Sequence, residues 1–324
     1  MSSRLLTAAG TLAAAGVAAF AWASLVEVRW YALREVTVPV LPPGQDPLRV
    51  LHLSDLHLVP SQRRKIDWVR DLATLRPDLV IDTGDNMAHP DALAPLLHAL
   101  EPLLDTPGAF VMGSNDYYAP SAKNPARYLL PDARRESLPA GELPAGELAT
   151  ALCAAGWRDL DNRRDTLVAG GRRLALVGVD DPHLDRDAFP PPLDPPFDGP
   201  DRPDGDHLPD DASPSGVDLR IGVAHAPYRR ILDEMQADGA ELILAGHTHG
   251  GQLAVPFYGA LVTNCDLDTR RAKGLHGWPG ARPDEPGGAD STWMHVSAGL
   301  GTSPYAPVRF ACRPEATLLT LVAR

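Results

Sequence analysis

Cysteine is scarce. Three residues, Cys153, Cys265 and Cys312, are scattered over 324 positions with no Cys-x-x-Cys pair, too few for a disulfide framework. Basic residues are in deficit: 30 Lys and Arg stand against 42 Asp and Glu, a formal charge of -12. That balance argues against bulk electrostatic binding to nucleic acid or another polyanion, although a local cation can still draw a phosphate. The chain has no internal repeat and no basic stripe. Apolar residues, by contrast, make up 44% of it and charged ones 22%, which excludes a fibre or a disordered tail and suffices for the core of one large domain or two small ones. The 33 prolines and 28 glycines are unevenly spread and read as long loops rather than global disorder.

One long uncharged run is present. Residues 5–26 follow Met-Ser-Ser-Arg4 and are long enough to cross a bilayer as a helix at about 1.5 Å per residue. The run is rich in Ala, and Ala21-Trp22-Ala23 resembles a small-x-small cleavage site. Residues 1–26 therefore read as a membrane anchor or a signal segment. Arg4 and the amino group flank the run on one side, Arg29 and Arg34 on the other, so the positive-inside count favours neither orientation.

Residues 27–47, with Pro39, Pro42, Pro43 and Pro47, read as a linker, and the catalytic domain as 48–324. Its first part alternates strand and helix: strands at 48–53, 79–81 and 109–112, helices at 65–75 and 91–104. Each strand delivers polar residues at its C-terminal end, the pattern of an α/β sheet whose site lies at the strand ends. Residues 119–145 read as a loop insertion or small cap, and 181–218, rich in Asp and Pro, as a second long loop. Further strands are expected at 174–177, 219–223, 242–245, 293–297, 308–312 and 317–322, and helices at 147–155 and 228–237. The strand-rich second half is consistent with a second sheet packed on the first.

The chemistry lies in five short motifs. Asp55 and His57, two apart at the end of an extended segment, project on one face and can reach one metal ion. His247 and His249 repeat that geometry in Gly246-His-Thr-His-Gly-Gly-Gln252, where glycines let the backbone turn sharply and remove Cβ atoms that would crowd an ion or a phosphate. Asp85 follows Gly84 after the second strand, Gly113-Ser-Asn-Asp116 follows the third, and His225 closes a later one. A single His or Asp of this kind is ordinarily a packed residue or a cap. Five such motifs in order, each after a strand, form a set. His52, His89, His98, His207, His276 and His295 lie outside it.

This series resembles the calcineurin-like metallophosphoesterase superfamily over about residues 48–324. Ser54-Asp-Leu-His57, Gly246-His-Thr-His-Gly-Gly-Gln252, Ser297-Ala-Gly-Leu-Gly-Thr302 and Arg309-Phe-Ala-Cys-Arg-Pro-Glu315 are similar to a bacterial membrane-associated branch related to UDP-2,3-diacylglucosamine pyrophosphatases. The resemblance implies an α/β fold, a four-layer αββα sandwich preceded here by the hydrophobic helix, holding two divalent cations (Mn, Fe or Zn) at the strand ends. Asp55, His57, Asp85 and His249 would hold the first, and Asp85, a residue of Gly113-Ser-Asn-Asp116, His225 and His247 the second. A hydroxide bridging the two ions would attack phosphorus in line.

In the family's Gly-Asn-His-Asp motif the Asn binds metal and the His assists the leaving group. Here Ser114 stands at the first of these positions and Asn115 at the second. Either Ser114 is the ligand, or the turn shifts and Asn115 supplies its amide oxygen; the amide is the better donor, and Asn115 is taken. The family's acid is absent, and Asp116 is the nearest substitute in sequence. His183, in Asp181-Pro-His183 at the head of the acidic loop, could reach the mouth of the site, but nothing in the spacing forces it inward and it reads rather as an exposed loop residue. The expectation is thus a hydrolase of a phosphomonoester, phosphodiester or pyrophosphate bond, acting through Asp85, Asn115 and Asp116 on a phosphorylated small molecule or lipid-linked substrate, at a membrane held by its N-terminal helix, with no nucleic-acid partner. The alternative is a degenerate scaffold of the same fold that binds a partner protein.

Overall fold

A computed structural model describes residues 3–121, 141–191 and 216–324; most of the two expected loop insertions, and His207, lie outside the described residues. An apolar helix, α1 (Ser3–Ala21), runs through a π turn (Trp22–Val26) and a 3-10 turn (Glu27–Arg29) into β1 (Ala32–Leu41). There follow β2 (Leu48–Leu53), α2 (Arg63–Asp71), β3 (Leu79–Asp82), α3 (Leu93–Leu100), β4 (Gly108–Phe110), the short α4 (Ser114–Tyr117), α5 (Ala145–Ala154), β5 (Arg158–Asp159), β6 (Arg163–Ala169) and β7 (Arg172–Gly178). The chain continues through β8 (Leu219–Ala224), α6 (Arg229–Ala237), β9 (Leu242–Ala245), the small hairpin β10 (Ala254–Val255) and β11 (Gly259–Ala260), β12 (Gly274–Trp278), β13 (Thr292–Val296) and β14 (Glu315–Ala323). The strand expected at 308–312 is absent: that segment contributes one isolated bridge, Leu253 to Phe310.

Among the described residues, the strands other than the β10–β11 hairpin form two six-stranded sheets, ordered β1-β14-β2-β3-β4-β5 and β12-β13-β9-β8-β7-β6. Side-chain alternation decides how they stack. In β2, Val50 points into the core between the sheets, whereas Leu51 and Leu53 point outward under α2 and α3, with Ile66, Val69, Leu96 and Leu100. In β9, Leu242 and Leu244 point inward, and Ile243 points outward to meet Ile231, Leu232 and Met235 of α6. The buried face of α6 recurs at helical spacing. Two sheets face to face with helices on both outer faces give the αββα layering, with mixed α/β sheets as expected. Strands β2, β3 and β4 run parallel to one another, as do β7, β8, β9 and β13, so the C-terminal ends of each set open on one edge.

The stretch expected as a linker is part of the first sheet. Strand β1 pairs in parallel with β14 from Ala32 opposite Glu315 to Leu41 opposite Ala323, and Val38, Val40 and Leu41 are fully buried. Prolines are tolerated there because β1 is an edge strand, where Pro39 need not donate to a ladder, and the register shifts between Pro39 and Leu41. The domain therefore begins before Leu48, and a cut at that residue would uncover β14 and remove several buried side chains, each contributing about 1.5–3 kcal/mol.

The inter-sheet core closes toward the site with a pair of imidazoles. His52 Nδ1 of β2 lies 2.9 Å from His295 Nδ1 of β13, and His52 Nε2 lies 3.1 Å from Thr83 Oγ1. One Nδ1 must donate and the other accept, so a neutral ring is required. Burial, followed by the facing His295, holds His52 well below the ordinary histidine range. Burial, followed by His276, holds His295 down to about 3. Both folded values lie below the unfolded value of about 6.5. The stability these rings contribute is therefore present above pH 6.5 and lost as pH falls toward their folded values, by about 1.4 kcal/mol per pH unit for each ring. Between pH 7 and pH 5 the urea midpoint of His295→Gln, which keeps a polar partner for His52, should fall less than that of the wild-type chain, as paired urea melts at the two pH values would show.

Candidate metal centre

Seven side chains converge at the strand ends: Asp55 and His57 after β2, Asp85 after β3, Asn115 after β4, His225 after β8, and His247 and His249 after β9. Asp85 is central. Its Oδ2 lies 3.3 Å from His57 Nε2 and its Oδ1 lies 3.6 Å from His225 Nε2. His57 Nε2 is 3.2 Å from His249 Nε2, and His249 Nε2 is 3.6 Å from Asp55 Oδ1. His247 Nδ1 lies 3.3 Å from His225 Nε2. Among the described residues, two groups have every ligand atom within 4.8 Å of the others, Asp55 with His57 and His249, and Asp55 with Asp85 and His225. Donors about 2.1 Å from a common ion stand roughly 3.0–3.4 Å apart in octahedral or tetrahedral arrangements, so these spacings and this mixture of carboxylate and imidazole suit a divalent cation.

Backbone carbonyls aim the rings. His225 Nδ1 lies 2.7 Å from Thr83 O, His247 Nε2 lies 3.2 Å from Asn264 O, and His249 Nδ1 lies 3.1 Å from Gly301 O. A carbonyl only accepts, so each facing nitrogen carries the proton and the other ring nitrogen turns to the cluster. His57 Nδ1 is buried and has no hydrogen-bond partner among the described residues. The charges compensate one another. Burial would raise Asp85, but His225 and His57 outweigh it and hold the carboxyl below the ordinary range. Burial would lower His225, but Asp85, Asp181 and Asp55 push it up to about 9.

The local backbone is strained at these residues. Asp55, His57, Asp85, His247 and His249 all have positive φ, from 41° to 66°, at a cost of the order of 1 kcal/mol or more each. Neighbouring glycines make the close approach possible. A Cβ on Gly246 would lie 1.9 Å from Ser54 Oγ and 2.7 Å from Asp55 Oδ2, and one on Gly113 would lie 2.4 Å from Asp85 Oδ1. Gly246→Ala must displace Asp55, so it should lower bound metal and cost about 1–3 kcal/mol in stability. Gly146→Ala, in α5 with nothing within 4 Å of the new methyl, should lose neither. Elemental analysis and thermal melts of the two variants check this.

Two residues read from the sequence have other positions. Asp116 does not face the cluster: it is fully buried and accepts from the N–H groups of Asp85 (2.8 Å), Asn86 (2.9 Å) and Gly113 (3.0 Å). Its carboxylate ties the second and third strand-end loops together, and its expected role as an acid is corrected accordingly. His183 is not an exposed loop residue. Its ring packs against His247 with 4.5 Å between centroids, and its Nδ1 lies 3.1 Å from Tyr228 Oη. The neighbouring Asp181 is fully buried, Oδ2 has no partner, and burial pushes it up to about 7, with His225 opposing. Asp181-Pro-His183 carried this signal in sequence. Arg309 carried none beyond its motif: fully buried, it donates to Gly301 O (2.6 Å), Ala298 O (2.7 Å) and Gly299 O (3.1 Å) and lies 3.3 Å from His249 Nδ1.

Two stacked mixed sheets thus gather acids and imidazoles at their strand ends, in groups that could hold a metal ion. The calcineurin-like phosphoesterase family model matches residues 48–251, and the chain belongs to that family; it is a phosphoric ester hydrolase. It is similar to the uncharacterized metallophosphoesterase YkuE of Bacillus subtilis, 25% identical over 97% of this chain and 93% of that one. It is also similar to the phosphodiesterase YaeI of Escherichia coli, 26% identical over 94% and 93% of the two chains. A transmembrane protein with metallophosphoesterase domain from Bos taurus is 28% identical over 90% of this chain, which spans 57% of that longer one. Among solved structures, a 5'-nucleotidase precursor from Thermus thermophilus aligns over 85% of this chain and 55% of its own, with a TM-score of 0.40 and 16% identity.

Proposed function

We propose that the chain hydrolyses a phosphate ester or pyrophosphate bond at a centre of two divalent cations that share Asp85. Asp55, His57 and His249 would complete one set of donors, and Asn115, His225 and His247 the other. The observation that carries this reading is the placement of the Asp85 carboxylate, whose two oxygens face His57 on one side and His225 on the other. Bound there, such cations supply Lewis-acid charge neutralisation and lower the pKa of water. The chain's own part is to fix the donors: Thr83, Asn264 and Gly301 carbonyls set the ring orientations, and Asp116 and Arg309 hold the loops that bear them. The convergence of all these acids and imidazoles favours the enzyme over a scaffold that has lost its chemistry.

Asn115 is favoured over Ser114 as the remaining ligand. Its main-chain N–H donates to Asp85 Oδ1 (2.6 Å) and its side-chain amide reaches Asp85 Oδ2 (3.0 Å), whereas Ser114 Oγ stays 3.5 Å from Oδ1. Rotation of the amide exchanges nitrogen for oxygen at the same place. Asp85→Ala removes the shared donor. It should leave at most one weakly held ion and reduce hydrolysis of an aryl phosphodiester by several powers of ten, read by elemental analysis and turnover.

An amide at position 115 has no proton to give a leaving group, and Asp116 is committed to backbone N–H groups. General-acid assistance is worth about 10²–10⁴ in rate, so a site without it should depend steeply on the leaving group. A plot of log rate against leaving-group pKa is expected to be steep, with aryl esters and pyrophosphate links faster than alkyl phosphates. A flat plot that turns steep in His183→Gln would place the proton on His183 instead.

The substrate reading is a phosphorylated small molecule or a lipid-linked phosphate at a membrane. It is supported by residues Gly10–Arg29, which run from α1 through the two turns that follow it, have a mean hydropathy of 1.6 and are long and apolar enough to span a bilayer, and by the family of hydrolases to which the chain belongs.

A further inference from the structure

The end of α1 is tied to the domain. Glu27 is buried; its carboxylate accepts from Cys312 N–H (2.6 Å) and Trp22 Nε1 (3.0 Å), and Ala23 O accepts from Arg309 N–H (3.1 Å). Beside this junction runs residues 251–264, Gly-Gln-Leu-Ala-Val-Pro-Phe-Tyr-Gly-Ala-Leu-Val-Thr-Asn, without a single charge. It contains the β10–β11 hairpin, whose tip presents Phe257 fully exposed and Tyr258 at 74%, with Val255 and Leu261 also exposed. Between helix and hairpin lies a cleft of about 700 Å³, faced by Phe20 and Ala23 on one side and Val255, Leu261 and Tyr305 on the other. Single exposed apolar residues are ordinary, but a contiguous patch of them marks an interaction surface.

We infer that this hairpin is a second membrane contact: its tip enters the same leaflet as α1, and lipid chains fill the cleft between them. The inference rests on the reading that α1 is retained in a membrane. Three features select lipid as the occupant. The cleft is continuous with the helix that is apolar enough to span a bilayer, so anything that surrounds the end of that helix also meets the hairpin. Aromatic side chains at such a junction sit favourably at the level of the headgroups. The absence of charge over residues 251–264 removes the desolvation cost that would otherwise keep a loop in water. The segment begins two residues after His249, and Asn264 O contacts His247 Nε2, so insertion would set the candidate metal centre against the membrane surface.

The test uses the full-length chain reconstituted into phosphatidylcholine vesicles, some with lipids brominated high in the acyl chain. Phe257→Trp and Val168→Trp, the latter on edge strand β6, replace exposed side chains and spare the fold. The emission added by Phe257→Trp should shift to the blue and lose intensity with brominated lipid, while that added by Val168→Trp should do neither. If the vesicle-bound chain leaves the added Phe257→Trp emission at its water-exposed wavelength and unquenched, or quenches both variants equally, the inference is overturned and the anchor stands. Failure of the wild-type chain to float with vesicles overturns the anchor reading as well.

Discussion

A buried carboxylate, Asp85, is faced by two imidazoles from different sheets, and much of the surrounding chain serves to make that arrangement tolerable. An acid taken out of water alone would simply stay protonated. Asp85 instead keeps its charge because His57 and His225 approach from opposite sides and Asn115 donates to it. Holding those partners requires strand ends from both sheets to meet, which the inter-sheet core fixes, and requires five non-glycine residues in left-handed conformations. The strain is therefore tied to the electrostatics: neither the sharp turns nor the glycines beside them make sense without the cluster they bring together.

Two buried groups share the work of restraint in opposite ways. Asp116 binds loops of the first sheet through N–H groups, acting as an acceptor among donors. Arg309 binds the loop after β13 through carbonyls, acting as a cation among acceptors. Neither is a donor atom for a cation. Each costs desolvation that is offset only while its full set of partners is present, so each favours one loop arrangement over the alternatives.

The strand-end motifs were legible because their spacing expresses local geometry: a strand, a turn, a donor. Asp55, His57, Asp85, His225, His247 and His249 each follow a strand whose apolar run is plain in the sequence. Strand β1 was obscured by Pro39 and by the prolines that follow it, since a ladder's tolerance for Pro depends on whether the strand lies at an edge, which is a property of the assembled sheet. The same holds for Asp116, whose partners come from a loop some thirty residues away, and for His183, whose neighbour His247 is supplied by another strand. Arg309 stood in a family-like motif, but its role could not be read there because its acceptors are main-chain carbonyls, which leave no trace in residue identity.

The wide separation of the donors along the chain has a consequence for assembly. His57 and His249 are 192 residues apart, and β1 must reach across almost the whole sequence to pair with β14. Contacts of such long range form only after much chain entropy has been lost. A chain with only one sheet complete would thus hold only part of the proposed donor set. Cation affinity in this architecture is a property of the finished fold, and ion binding in turn biases the equilibrium toward it.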